Sequence, residues 1–268
     1  MNAQYKNYHA LILLTMIYLS ITLAAGVMVN KLVILGPGYV QGGAIITPLW
    51  YSLADIMTEV YGYKILRQIL WSALISQLIF SSAIFLMIHL PSPPFWHDQG
   101  SYYFVFGNIL RIYFSGSIAF LISGFINIYV ISKWKILILG KHFWLRNIGA
   151  STVAEAIYTA LIIPMISIGN LEVKKMLLII AISYGFKVIY AIVMAIPASI
   201  VVKYLKKLED IDVYDYGVNF SPFVLKVSES ITARPEITHN EIIENPNTYN
   251  RAIINIEKYK SKPGDDPV

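Results

Sequence analysis

The feature that most constrains this chain is a set of apolar runs, each close to the ~20 residues a helix needs to cross a hydrocarbon core ~30 Å thick. Six can be marked: Ala10–Val29, Gly42–Val60, Ile65–Leu90, Ile112–Ile131, Ile148–Ile168 and Met176–Val202. Backbone groups in lipid must be satisfied within their own segment, so these runs read as helices. Composition agrees. The chain is 56% hydrophobic and 14% charged, with mean hydropathy +0.59, whereas a soluble domain carries about 25% charged residues. The expected fold class is all-α, a polytopic membrane bundle of six transmembrane helices. The last run exceeds what a bilayer requires and should tilt or project, and Pro197 is a candidate kink.

Orientation follows from the basic residues in the short connections. Lys6, Lys64, Arg67, Lys133, Lys135, Lys141, Arg146, Lys203, Lys206 and Lys207 fall on one side, ten in all, and Lys31, Arg111, Lys174 and Lys175, four, on the other. The richer side faces the cytoplasm, which puts both termini there and makes this a multi-pass protein of the inner (plasma) membrane. The first run is too long for a signal-peptide core and reads as a retained helix. Residues 1–208 form the transmembrane domain. Residues 209–268 form a polar cytoplasmic tail, mostly disordered after about 228 on its Glu, Asn, Thr and Pro content.

Inside the spans lie ionisable side chains that lipid alone would reject. Asp55 and Glu59 sit four apart and share a helical face with Tyr51. A carboxylate at mid-membrane costs ~2.5–3.5 kcal/mol on the insertion scale, so it needs a partner or a cavity. Counting ~1.5 Å per residue from the nearest span end places Asp55, Glu155 and Lys187 about 20, 13 and 18 Å deep, near the middle third. Lys187 requires a counter-charge, and Asp55 and Glu155 are the candidates. Two acids around one base leave a spare acceptor for a ligand; the alternative is a salt-bridge triad that only locks helices. Glu59, nearer the cytoplasmic end, is either a site residue or an interfacial partner of Lys64 or Arg67. Phe120 and Asn127 lie at helical spacing with Gly116 and Ser123 in the fourth span, and Tyr158 lies one turn beyond Glu155. That fourth-span row reads equally as a packing seam.

Several classes are excluded. There is no Cys, hence no thiolate nucleophile and no Cys-based metal site. The chain contains no His-Glu-x-x-His, no Gly-x-Ser-x-Gly and no mid-span His, so an intramembrane enzyme is not expected. No Walker A sequence occurs. The glycines of Gly36–Gly43 do not match a dinucleotide fingerprint, no strand is expected before them, and they read as a turn-rich loop. His97 and Asp98 are too few for a metal site, and neither metal nor cofactor is expected. The aromatic residues Tyr102, Tyr103, Phe104 and Phe106 read as an interfacial belt. The net charge of +5 reflects loop asymmetry, with no basic stripe for nucleic acid.

The stretch Ala54-Asp-Ile-Met-Thr-Glu-Val-Tyr-Gly-Tyr-Lys64 resembles the queuosine precursor transporters, the vitamin-uptake-transporter-like membrane family. Arg111 at the fourth span, Tyr184-Gly-Phe-Lys187 followed by Pro197, and Tyr214–Phe223 match in order. The resemblance covers about Tyr8–Phe223. It implies a six-helix carrier importing 7-deazaguanine bases such as preQ0, preQ1 or queuine. Asp55, Glu59, Arg67, Arg111 and Lys187 match the family pattern. Asn127 and Tyr158 stand where the family tends to have Asp, and Glu155 where it has Gln or Asn. On this reading Asp55, Glu155 and Lys187 line a midplane site with Glu59 and Asn127 nearby. A carboxylate accepts the paired N–H donors of a guanine-like edge, and Tyr51, Phe120 or Tyr158 stacks on the base. Expected partners are the base, the lipid bilayer, and a homo-oligomer or energy-coupling partner. The rival transport reading is a substrate-binding subunit of a multi-subunit vitamin or nucleobase importer.

Overall fold

The computed structural model describes residues 9–36, 38–169 and 171–224. Its elements in chain order are α1 (His9–Met28), a hairpin of β1 (Leu32–Leu35) and β2 (Gly38–Gln41), α2 (Gly43–Tyr61), α3 (Tyr63–His89), a short α4 (Gln99–Phe106), α5 (Ile109–Leu137), α6 (Phe143–Ser167) and α7 (Val173–Glu209). The chain divides into a unit ending at Tyr216 and a second, Gly217–Val268. The second is described only to Val224, where the Ser221 N–H donates to Asn219 Oδ1 at 2.9 Å. The segment expected to be disordered after 228 lies outside the described residues.

The helical membrane bundle inferred from the apolar runs is the observed fold. Among the described residues, five stretches are long and apolar enough to cross a membrane: α1, α3, the joined α4–α5, α6 and α7. The sixth long helix, α2, is not among them. Its Asp55, Glu59, threonines and tyrosines lower its hydropathy, and α1, α5, α6 and α7 pack around it. From Thr47 to Tyr61 all but two residues of α2, Leu49 and Leu53, are buried, so α2 meets protein where the other helices meet lipid. Exposed apolar residues such as Ile79, Ile189 and Ile196, each over 60% exposed, mark those lipid-facing sides. At 37 residues, α7 is about 55 Å long and continues through Pro197.

Local chemistry sets the path of α2. Pro48 cannot donate to the Ala44 carbonyl, and the Thr47 hydroxyl donates to it at 3.4 Å. Gly43 lies against α1: a Cβ there would stand 2.8 Å from the Ala25 carbonyl oxygen. The helix ends at Gly62, whose φ of 84° and ψ of 169° belong to a region used almost solely by glycine. The segment Asp210–Tyr216 crosses at this point. The Val213 N–H donates to the Val60 carbonyl at 3.1 Å, and a Cβ on Gly62 would come within 2.7 Å of Val213 Cγ1. Asp215 accepts from the Tyr63 N–H at 2.9 and 3.1 Å, capping α3 in place of a glycine that has no side chain to do so. Burial pushes the Asp215 carboxyl above its ordinary range, and the Tyr63 N–H and the charges of Lys135 and Lys64 pull it partly back.

Two sequence expectations change here. A strand does precede Gly36: β1 and β2 pair antiparallel with Leu32 opposite Gln41 and Leu35 opposite Gly38, turning at Gly36 with φ 57°. The turn-rich stretch is therefore half hairpin, packed on α7 through β2. The polar segment expected to start a tail at 209 instead runs through the last residue of α7 and stays within the bundle's own unit to Tyr216.

Candidate functional site

Three groups of polar side chains occupy the interior of the bundle, and the sequence had joined residues from different groups. The first surrounds Lys187 of α7. Its ammonium donates to Glu155 Oε2 at 2.7 Å and Thr159 Oγ1 at 3.0 Å, and sits 4.8 Å from the centre of the Tyr158 ring. Glu155 and Lys187 are 1% and 2% exposed. An ion pair this deep needs further hydrogen bonds and close packing to offset desolvation, and Thr159 and the Tyr158 ring contribute both.

The second group surrounds Asp55 of α2, which is fully buried. Its Oδ1 accepts from Asn127 Nδ2 of α5. Its Oδ2 accepts from Asn147 Nδ2 at 2.6 Å and Ser151 Oγ at 2.8 Å, both on α6. Asp55 therefore does not take Lys187 as its partner in this conformation, and the expected three-residue cluster splits. The amide oxygens of Asn127 and Asn147 are buried with no hydrogen-bond partner.

The third group centres on Glu59, one turn below Asp55. Arg146 grips its carboxylate from two sides, at 2.7 and 3.1 Å. Lys206 reaches it at 2.7 Å and Lys135 at 3.8 Å. Asp212 then joins Lys135 at 2.6 Å and Lys206 at 2.8 Å. The Lys135 ammonium also donates to the carbonyls of Glu59 at 2.5 Å and Val213 at 2.6 Å. The sequence had offered Lys64 and Arg67 to Glu59; the structure brings it cations from α5, α6 and α7. This network ties four elements and the Asp210–Tyr216 segment together at the end of the bundle that carries most basic residues.

An aromatic cluster lies between Asp55 and the opposite end. Trp50 meets Tyr158 edge-on at 5.3 Å and Phe120 edge-on at 5.9 Å, and Tyr51 lies 6.3 Å from Tyr158. The Tyr51 hydroxyl and Ser123 Oγ are 2.5 Å apart. Beside this cluster is a cavity of about 50 Å³, lined by Trp50, Tyr158, Thr159, Lys187, Ser183 and Gln77, and extending past Thr47 and Gly43 to Gln41. A second cavity of about 190 Å³, bordered by Asn30, Asn108, Arg111 and Ser167, shares Val29, Gln41, Ile112 and Ile166 with the first. Together they mark a path from the hairpin end of the bundle to Lys187, with polar groups at both ends. Arg111 closes one flank, donating to the carbonyls of Met165 and Ile168 at the end of α6.

Of the residues singled out in the sequence, Lys187 and Tyr158 line the cavity. Glu155 touches it through Lys187. Tyr51 and Phe120 belong to the aromatic cluster behind it, Asp55 and Asn127 form their own group, and Glu59 belongs to the ion network. Missed were Trp50, Gln77, Asn147, Arg146, Lys135 and Lys206. One signal was available: Asn147, Ser151, Glu155 and Thr159 stand four apart, a polar stripe down one face of α6. Arg146, Lys135 and Lys206 carried no such sign, because a basic residue at a span end ordinarily faces water or headgroups.

A helical bundle with charged residues paired in its interior and cavities entering from one end has the features of a membrane carrier for small molecules. Residues 41–202, more than half of the chain, match the family model described as "Putative vitamin uptake transporter", and the chain belongs to that family, also known as the queuosine precursor transporters. No curated protein and no solved structure matches it. Membership agrees with the non-enzymatic reading, a small-molecule substrate and a bilayer location.

Proposed function

We propose that this carrier imports 7-deazaguanine bases across the inner membrane, with both termini in the cytoplasm. The observation that carries the reading is the cavity that ends on Lys187, Tyr158 and Trp50, with Glu155 paired to Lys187 behind it. Its aromatic rings suit a flat heterocycle. The Lys187–Glu155 pair offers a donor and an acceptor side by side, as a base edge requires. Ligand pockets usually enclose about 300–1,000 Å³, so a cavity of about 50 Å³ must widen to admit a base. Rotation of Trp50 and Tyr158 is the simplest way to widen it.

Asp55 is the next station inward. Its carboxylate and the two unpartnered amide oxygens of Asn127 and Asn147 form an acceptor-rich patch suited to the N–H and amino donors of a guanine-like edge. The Glu59 network closes the path beyond it, so inward release requires that network to open. The direct test is uptake of radiolabelled 7-deazaguanine bases into cells unable to make them. Uptake that depends on this protein and is competed by unlabelled base supports the reading. Uptake equal to that of cells without the protein, with the protein present in the membrane, refutes it.

A further inference from the structure

Gln77 of α3 and Ser183 of α7 have no part in the motif that marks the family or in the ion pairs that hold the bundle. Both line the cavity beside Lys187. Gln77 is 6% and Ser183 1% exposed, yet neither Gln77 Nε2 nor Ser183 Oγ has a hydrogen-bond partner. Ser183 lies one turn from Lys187, so the two share a face of α7. Glu155 adds a third unused valence: its Oε2 accepts from Lys187, while its Oε1 is buried without a partner. Buried polar groups are nearly always satisfied, and an unmatched one costs stability. Two of them line the cavity and the third sits behind its Lys187; drawn from three helices, they form a set that a bound molecule can complete once the cavity widens.

We propose that Gln77 and Ser183 contact the transported molecule and, with Lys187 and Glu155, read a lactam edge, a ring carbonyl next to a ring N–H. This rests on the base-transport reading and specifies its chemistry. The ring carbonyl accepts from Lys187, Ser183 and the Gln77 amide, and the adjacent N–H donates to Glu155 Oε1. Lys187 has only donors and ionised Glu155 only acceptors, so the pair sets the polarity. A 6-amino heterocycle presents the reverse pattern, its amino group against the ammonium and its bare ring nitrogen against the carboxylate. Sites that leave buried polar groups unpaired with the wrong ligand discriminate strongly.

The test is equilibrium binding of a tritiated 7-deazaguanine base to the purified full-length protein in lipid nanodiscs, with unlabelled 7-deazaadenine as the amino-edge competitor. The wild-type protein should bind the lactam base at least about 100-fold more tightly than the amino analogue. Gln77→Leu and Ser183→Ala should each weaken lactam binding about 10-fold, the loss of one hydrogen bond to ligand, while the melting temperature without ligand stays level or rises. Wild-type affinity in both variants would overturn the assignment and leave only water as the partner of these groups, with the transport reading intact. Lowered melting temperature with unchanged affinity would also overturn it, showing a structural role. Failure of the wild-type protein to bind any 7-deazaguanine would overturn the substrate reading and this inference with it.

Discussion

Replacing Glu59 with Gln removes the one carboxylate that Arg146, Lys206 and Lys135 converge on. Arg146 and Glu59 are 0% and 1% exposed, and two hydrogen bonds join them at 2.7 and 3.1 Å. After substitution, Arg146 keeps the carbonyls of Lys141 and Gly140, each at 3.2 Å, and one neutral amide oxygen in place of a carboxylate. Two unit charges ~4 Å apart attract by about 4 kcal/mol at an effective dielectric near 20. Breaking a buried pair by deleting one partner costs ~3–5 kcal/mol, because the other charge stays behind. Lys206 is 22% exposed and can turn to water, and Lys135 retains Asp212. Most of the penalty therefore falls on Arg146, and Glu59→Gln should destabilise the protein by about 3–5 kcal/mol. That is a third or more of a typical total stability of ~5–15 kcal/mol. The assay is denaturant unfolding of the purified protein in one detergent, with membrane expression measured alongside. The double variant Glu59→Gln with Arg146→Gln leaves no unpaired guanidinium and should recover more than half of the loss. A single variant within about 1 kcal/mol of wild type, no more than an exposed pair contributes, would refute the claim that the network holds this end of the bundle together.

The other predictions concern different links of the argument. Asp55→Asn keeps the size but puts an N–H against one of the three donors now pointing at Asp55; base affinity should fall about 30-fold or more at wild-type protein level, since a charge-assisted contact is worth ~2–3 kcal/mol, and unchanged uptake would exclude Asp55 from the path. Gly62→Ala forces a side chain into a glycine-only conformation at φ 84° and against Val213; it should cost at least ~1–3 kcal/mol and make the Asp210–Tyr216 segment more sensitive to limited proteolysis. Topology reporters fused after Gly36, Gly100 and Gly169 should all read outside, and an inside signal at any one would overturn the orientation.

What the sequence by itself determined is what each segment can tolerate around it. Apolar length alone marked α1, α3, α5, α6 and α7, because lipid imposes its requirement residue by residue along a single helix. The same requirement made Asp55, Glu155 and Lys187 conspicuous: an ion in a hydrophobic run must be answered by something. Of the two acids that could answer Lys187, Glu155 is the one that does. What only the tertiary structure decided is which groups meet. Asp55 and Lys187 lie at similar depth, but the rotation of α2 turns Asp55 toward Asn127 of α5 and Asn147 of α6. Arg146, Lys135 and Lys206 look like ordinary cationic ends of spans, and turn inward because Glu59 of α2 stands among them and the Asp210–Tyr216 segment brings Asp212 to the two lysines. Gln77 reads as a stray polar residue in α3 until the packing of α1, α5 and α7 opens a cavity beside it. Depth along a helix is a local count at 1.5 Å per residue. Azimuth and neighbour are set by how several helices interlock, and no single stretch of the chain contains that information.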